Sequence, residues 1–364
     1  MNILMVPLLK RKMGPQVTAS RPRVIFELTQ GLIARGHKVS VLGTKNSSIP
    51  GAKIIPVIPK SMVEMGAYEN PFYAETGYLV QLAKHLQKIS GQFDIIHNHT
   101  YPEFINLLVE PLLRAPMVTT VHAQMTPELD QTLSGFPDSK LISLSQAHKR
   151  LAHKTKFWKV IYNGIDTDVY RFSAQKENYL LWIGRLGKAR DAKGQFIDAK
   201  GVRNAIRLAE ETGQRLLLAG NVEDKKFFDQ DVKPHLNKKI QWVGEVSSEQ
   251  SLTKFEVAKL MAKAKGFLMT INWEEPFGLV MAEAMSCGTP VVGFKRGAVP
   301  ELVEHGKTGF VAKDFKGLVQ GVKKLGEINP AACRARVEKY FSLDITVGNY
   351  YKAYQQAIKE WKHS

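Results

Sequence analysis

Twice along this 364-residue chain, short apolar runs alternate with segments of helical period, and that alternation restricts the fold more than any other feature. A parallel strand pair needs a crossover long enough to hold a helix, so the pattern is that of repeated β/α units. The first series of runs covers 2–6, 37–42, 93–97, 116–122, 141–144 and 159–162. Between its first two runs a helix is expected from Pro22 to Arg35, with proline in the first turn, where a missing amide is harmless, and Gly36 as the stop. The second series covers 179–185, 215–220, 240–243, 266–271, 289–294 and 308–311. Each series predicts a doubly wound α/β domain, and the boundary is expected near Asn163 to Phe172. Length agrees, because single cores stop growing near roughly 250–300 residues. Ligands of such sheets sit beyond the carboxyl ends of the strands, and two sheets facing each other would make a central cleft.

Composition removes several classes. An apolar fraction of 44% with 23% charged residues is that of a globular protein without low-complexity tracts. Cys287 and Cys333 are far apart and outside any CxxC or Cys/His cluster, which argues against a disulfide framework or structural zinc and for core thiols in a reducing cytoplasm. The start, MNILMVPLLKRK, has its basic residues after the apolar run, the reverse of a secretory signal, and the run is too short to span a membrane. A cytoplasmic location follows, with attachment to the inner face of a membrane left open. The net charge of +17 points to acidic partners, but residues 1–165 hold 19 basic and 10 acidic side chains and residues 166–364 hold 32 and 24. With the excess spread so evenly, no nucleic acid is expected as partner. Lys10-Arg11-Lys12 and Lys149-Arg150 with Lys154 and Lys156 read as solvated faces ahead of dedicated sites.

The stretch NWEEPFGLVMAEAMSCGTPVVGF, residues 272–294, concentrates the chemistry. A strand ends at Ile271, a loop follows, and Phe277, Gly278 and Leu279 begin a helix. Free amides at a helix start, backed by the helix dipole, favour an anion or a hydroxyl-rich ligand. Glu275 stands at the edge of that turn and Glu283 about two turns along. Read alone, the two acids are a complement to the helix start and an exposed helix residue. In a cleft they would suit a ligand with several hydroxyls, since an ionised carboxylate accepts from two at once.

This Glu-x7-Glu arrangement, continued by CGTPVV and GAVPELVEHGKTGFV, resembles the donor site of the retaining glycosyltransferases of family 4, which have the GT-B fold. RGHKVSVLGT, FDIIHNH, TTVHA, LISLSQA, VIYNGID, LLWIGRL, DAKGVRNAI and LLLAGN follow in the family's order, so the resemblance covers nearly the whole chain. It implies an α/β protein of GT-B architecture: an acceptor-side domain at 1–165 and a donor-binding domain at 166–343. It also implies that the C-terminal segment 344–364, with its helical period over Asp344 to Trp361, packs back on the first domain.

Residue by residue, the resemblance implies that Glu275 binds donor-sugar hydroxyls and Glu283 the ribose. The amides near Phe277, Gly278 and Leu279 would face the sugar and diphosphate, and Arg185 would bind the diphosphate. Its partner lysine has two candidates, Lys193-Gly194 and Lys200-Gly201. Lys200 is chosen because a helical period with a glycine stop follows it, and residues 187–198 then read as an insertion. His122 would hydrogen-bond at the reacting centre. Gly244, Glu245 and Val246 follow a strand where the family holds the nucleobase through backbone atoms. Ser145 and Asn163-Gly164 resemble positions at the cleft, and His97 and His99, although spaced like a metal pair, read as structural or acceptor-side. The first loop, PLLKRKMGPQVTASR, departs from the family by offering a single Gly14 for the donor phosphate, and it could serve an acceptor instead.

The function so implied is retaining transfer of a hexose from a UDP-, GDP- or ADP-sugar to a hydroxyl of a glycan, lipid or small molecule. Lysine and arginine would take the place of a metal, so no metal or other cofactor is expected. A non-catalytic sugar-nucleotide or glycan-binding protein is the alternative. A nicotinamide-dependent dehydrogenase is disfavoured, because no GxGxxG follows the first strand.

Overall fold

Along β1 (Asn2–Val6), Leu4 and Val6 belong to one apolar cluster and Ile3 and Met5 to another, so successive side chains enter cores on opposite faces of the same sheet. A strand buried on both faces has to be an unbroken apolar run, which is what the parallel β/α pattern requires. The protein, in a computed structural model, is described over residues 1–17, 19–246 and 252–362. It divides into two units: Met1–Gly164 together with the chain from Leu343 onward, and Ile165–Ser342.

In the first unit β1 is joined by β2 (Lys38–Thr44), β3 (Lys53–Ile58), β4 (Ile95–Asn98), β5 (Met117–Thr120), β6 (Lys140–Ser143) and β7 (Lys159–Val160). All pair in parallel, in the order β3-β2-β1-β4-β5-β6-β7. The crossovers are α1 (Ser20–Ala34), α2 (Pro71–Ile89), α3 (Phe104–Leu107), α4 (Pro127–Leu133) and α5 (Gln146–Arg150). Pro71 opens α2, and Asn70 caps it by accepting from the Tyr73 amide. β3 is absent from the sequence reading because Pro56 interrupts its run. It is the outermost strand, paired on one side only, where a residue without an amide proton is tolerated.

The second unit holds β8 (Leu180–Leu186), β9 (Leu216–Val222), β10 (Ile240–Gly244), β11 (Gly266–Met269), β12 (Val291–Phe294) and β13 (Gly309–Ala312), in the order β10-β9-β8-β11-β12-β13. Its helices are α6 (Val202–Thr212), α7 (Lys225–Asp231), α8 (Lys254–Lys263), α9 (Leu279–Ser286), α10 (Val299–Leu302), α11 (Phe315–Lys323) and α12 (Pro330–Tyr340). The chain then rejoins the first unit as α13 (Leu343–Trp361), whose Val347, Tyr350 and Tyr354 enter the same core as Ile3, Met5 and Ile25. Residues 363 and 364 of the expected C-terminal segment, and Thr18 of the first loop, lie outside the described residues. Among the described residues no helix is long and apolar enough to cross a membrane.

Candidate active site

The winding of the second sheet reverses between β8 and β11, and an open α/β sheet binds its ligand beside the carboxyl ends of such a strand pair. Arg185 is the penultimate residue of β8, and residues 187–201 lead from it to α6. The loop 270–278 leaves β11 and carries Glu275. Hydrogen bonds join the two loops. Thr270 Oγ1 donates to the Gly201 carbonyl at 2.7 Å. Asn272 donates from its backbone amide to Ala199 and from Nδ2 to the Asp198 carbonyl, each at 2.8 Å.

Where they meet, Lys200 Nζ lies 2.6 Å from Glu275 Oε2, with side chains only 24% and 13% exposed. The Trp273 indole N–H donates to the same Oε2 at 3.0 Å, and its ring centroid is 4.2 Å from the lysine ammonium. Of the two Lys-Gly pairs, Lys193-Gly194 sits on the exposed excursion pinched by the Arg190–Phe196 bridge, whereas Lys200-Gly201 opens α6.

The sequence reading missed Asp198, which holds that helix start. Its carboxylate accepts from the amides of Gly201, Val202 and Arg203 at 2.8, 2.9 and 2.9 Å. Burial pushes its pKa up, against the pull of those three amides and Arg203. Three amides at the α6 start are thereby satisfied internally, and the Trp182 indole holds the Lys200 carbonyl at 3.1 Å. An aspartate three residues ahead of a helical glycine is the signal that could have revealed it.

The α9 start differs. Its first flanking residue, Gly278, has φ +85° and makes no side-chain cap. Phe277 is buried edge-on to Phe341 at 5.9 Å, so its side chain anchors the turn from the core rather than lining a ligand site. The helix begins at Leu279, two residues later than expected. Glu283 lies one turn further and is 2% exposed, which corrects the reading of it as an exposed helix residue. Glu275 is fixed from behind: its carbonyl accepts from the Ala298 amide at 3.0 Å. Gly297, at φ +49°, passes so close that a Cβ there would lie 2.3 Å from the Glu275 nitrogen.

The resemblance implies that Arg185 and Lys200 serve the diphosphate while Glu275 and Glu283 serve the sugar and the ribose. In the structure each cation meets an acid. Lys200 pairs with Glu275, and the mostly exposed Arg185 pairs with Glu223 at 3.2 Å. A Cβ on Gly184, next to Arg185, would lie 3.1 Å from Lys200 Cβ, so the two cations belong to one neighbourhood. Gly244 ends β10 and the Val246 amide donates to the Gly220 carbonyl of β9 at 3.3 Å, at the same edge of the sheet. Two Asp-x-Asp triplets, overlooked in the sequence reading, are engaged otherwise: Asp166 caps its own turn through the amides of Asp168 and Val169, while Asp229 and Asp231 pair with Lys225 and Arg203.

His122, Gly14 and Asn163 lie in the first unit. His122 Nε2 is 2.8 Å from His99 Nδ1, and the amides of His122 and Ala123 donate to Glu103 at 3.2 and 3.3 Å. Arg21 pairs with that carboxylate at 3.1 Å. His122 Nδ1 has no hydrogen-bond partner among the described residues. Burial, then Arg21, holds the His122 pKa well below its usual value, so the ring is neutral. His97 bonds Tyr354 at 2.6 Å and Thr120 at 2.8 Å, which makes it structural. Ser145 caps α5. Gly14 accepts from the Val17 amide in a turn of the first loop, and Asn163 is buried, its Oδ1 without a hydrogen-bond partner among the described residues.

Two protein-family models match the chain, one in each unit: Glycosyltransferase Family 4 over residues 22–169 and Glycosyl transferases group 1 over residues 177–327. The chain is 26% identical over 316 residues to N-acetyl-alpha-D-glucosaminyl L-malate synthase of Bacillus anthracis, covering 79% of this chain and 78% of that protein. It is 21% identical over 359 residues to spore coat protein SA of Bacillus subtilis (strain 168), covering 90% of each. Its fold is that of Anabaena Alr3699/HepE in complex with UDP and glucose, with a TM-score of 0.70 at 19% identity over 98% of this chain and 100% of that one. The two-sheet GT-B fold and the paired family matches together identify the chain as a glycosyltransferase, with a family 4 N-terminal domain and a group 1 C-terminal domain.

Proposed function

We propose that the chain transfers a hexose, with retention of configuration, from a UDP-, GDP- or ADP-sugar to a hydroxyl of an acceptor glycan, lipid or small molecule. The observation that carries the reading is the meeting of Lys200 and Glu275 beside the α9 start, at the sheet's switch point. Lys200 and Arg185 supply positive charge where the leaving diphosphate becomes negative, so the reaction runs without a metal or other cofactor. The amides at Gly278 and Leu279 face the sugar and diphosphate. Glu275 accepts from sugar hydroxyls, Glu283 from the ribose, and the backbone at Gly244 and Val246 holds the base. The acceptor oxygen attacks on the face from which the diphosphate departs. As the new glycosidic bond forms, the departing phosphate oxygen takes the acceptor proton.

His122, being neutral, serves as a hydrogen-bonding group at the reacting centre through Nδ1. Gly14 and Asn163 are assigned to donor binding on the same reading. The UDP and glucose bound by the Anabaena neighbour support a nucleotide-sugar donor. The test is a melting-temperature screen against UDP, GDP, ADP and their glucose and mannose conjugates, followed by turnover with an acceptor panel. One sugar nucleotide should stabilise the protein and be consumed. Stabilisation by none, with no turnover, refutes the reading.

A further inference from the structure

Trp273 is given no role in the sequence reading, yet it touches both charged members of the site. Glu275 Oε2 receives the Lys200 ammonium at 2.6 Å and the Trp273 indole N–H at 3.0 Å. Glu275 Oε1 has no partner among the described residues. A carboxylate bound by one flexible lysine can turn and exchange its oxygens. A second donor on a rigid, two-torsion ring removes that freedom. The same ring lies under the lysine ammonium, 4.2 Å from centroid to Nζ, and so holds the other partner of the pair as well.

From these contacts we propose that Trp273 is a positioning residue for sugar specificity: it fixes Glu275 so that Oε1 alone is presented to the donor sugar. The proposal rests on the sugar-nucleotide reading above. Glu275 makes the contact, and Trp273 acts through it. A hydroxyl reaching Oε1 then meets an acceptor of fixed direction, and an epimer whose hydroxyl points elsewhere leaves that oxygen unmet, which is how a polar site rejects a near-isostere.

The experiment measures binding by calorimetry. The ligands are the nucleoside diphosphate selected from the UDP, GDP and ADP panel, its glucose conjugate and its galactose or mannose epimer. The proteins are wild type, Trp273→Phe, Trp273→His, Glu275→Ala and the Trp273→Phe/Glu275→Ala double variant. Trp273→Phe keeps the ring over Lys200 and removes the N–H. It should leave affinity for the bare diphosphate within about twofold, while the gain in affinity contributed by the sugar falls about tenfold and epimer discrimination falls with it. Trp273→His restores an N–H donor and should recover part of the gain. In the Glu275→Ala background Trp273→Phe should have no further effect, the non-additivity expected of a residue that acts through another. An unchanged sugar gain in Trp273→Phe, or losses that simply add in the double variant, overturns the proposal. Wild type that gains nothing from any sugar refutes the sugar-nucleotide reading itself, a distinct outcome.

Discussion

The strand ends of the two domains carry polar clusters on the same kind of scaffold, and they differ in what is left unsatisfied. In the first domain His97, Tyr354, Thr120 and Tyr350 are fully buried and bonded to one another. In the second, Lys200, Trp273 and Glu275 are partly exposed and bonded so that one carboxylate oxygen has no partner among the described residues. A closed cluster can only hold a fold together, because every bond it makes to a ligand would cost one it already has. A half-open one retains the capacity to bind. His122 stands between these extremes, with one ring nitrogen committed to His99 and the other without a partner among the described residues.

The largest effect should separate the clusters by function. Glu275→Ala is expected to lower kcat/KM by about 10²–10³-fold, as for loss of one transition-state contact, with a melting temperature close to wild type. His97→Ala should do the reverse. It leaves the buried Tyr354 hydroxyl without its partner and opens a void, while Thr120 keeps Tyr350, and should cost the first domain about 2–4 kcal/mol in denaturant titration. If His97→Ala unfolds no more easily than Glu275→Ala, the contrast between closed and open clusters is lost.

Acid titration should sharpen the same contrast. Burial lowers the pKa of His99 to about 3 and of His148 to about 4, against about 6.5 for an unfolded histidine. Protons therefore bind the unfolded chain first. First-domain stability is fully present above pH 6.5 and is lost progressively down to pH 3–4, at up to about 1.4 kcal/mol per pH unit per group. Domain-resolved hydrogen exchange at pH 7 and pH 5 checks this, and equal sensitivity in both domains would contradict it. The smallest effect is expected at the exposed Arg185–Glu223 pair, where Glu223→Ala should change stability by less than about 1 kcal/mol in a chemical denaturation series.

Much of the fold was legible because its strands are buried on both faces, so burial itself writes a continuous apolar run into the sequence. β3 escaped for the opposite reason: as an edge strand it tolerates Pro56, and its burial is partial. The choice of Lys200 over Lys193 followed from helical period, a local property. What was illegible depends on contacts between distant segments. Gly297 yields to the Glu275 backbone from 22 positions away, and Trp273 meets a lysine 73 positions earlier, whereas Asp198 caps α6 from three positions ahead of Gly201, a local signal the reading passed over. The pairing of Lys200 with Glu275 is likewise a fact of two loops meeting and leaves no trace in either loop alone.

The central claim is that these two loops form the donor site, with the lysine serving the diphosphate and the glutamate the sugar. Calorimetric titration of wild type, Lys200→Ala and Glu275→Ala with the preferred nucleoside diphosphate and its sugar conjugate tests it most directly. Lys200→Ala should weaken both ligands, and Glu275→Ala should weaken only the conjugate, down to the affinity of the bare diphosphate. Wild-type affinity for both ligands in both variants would contradict the account.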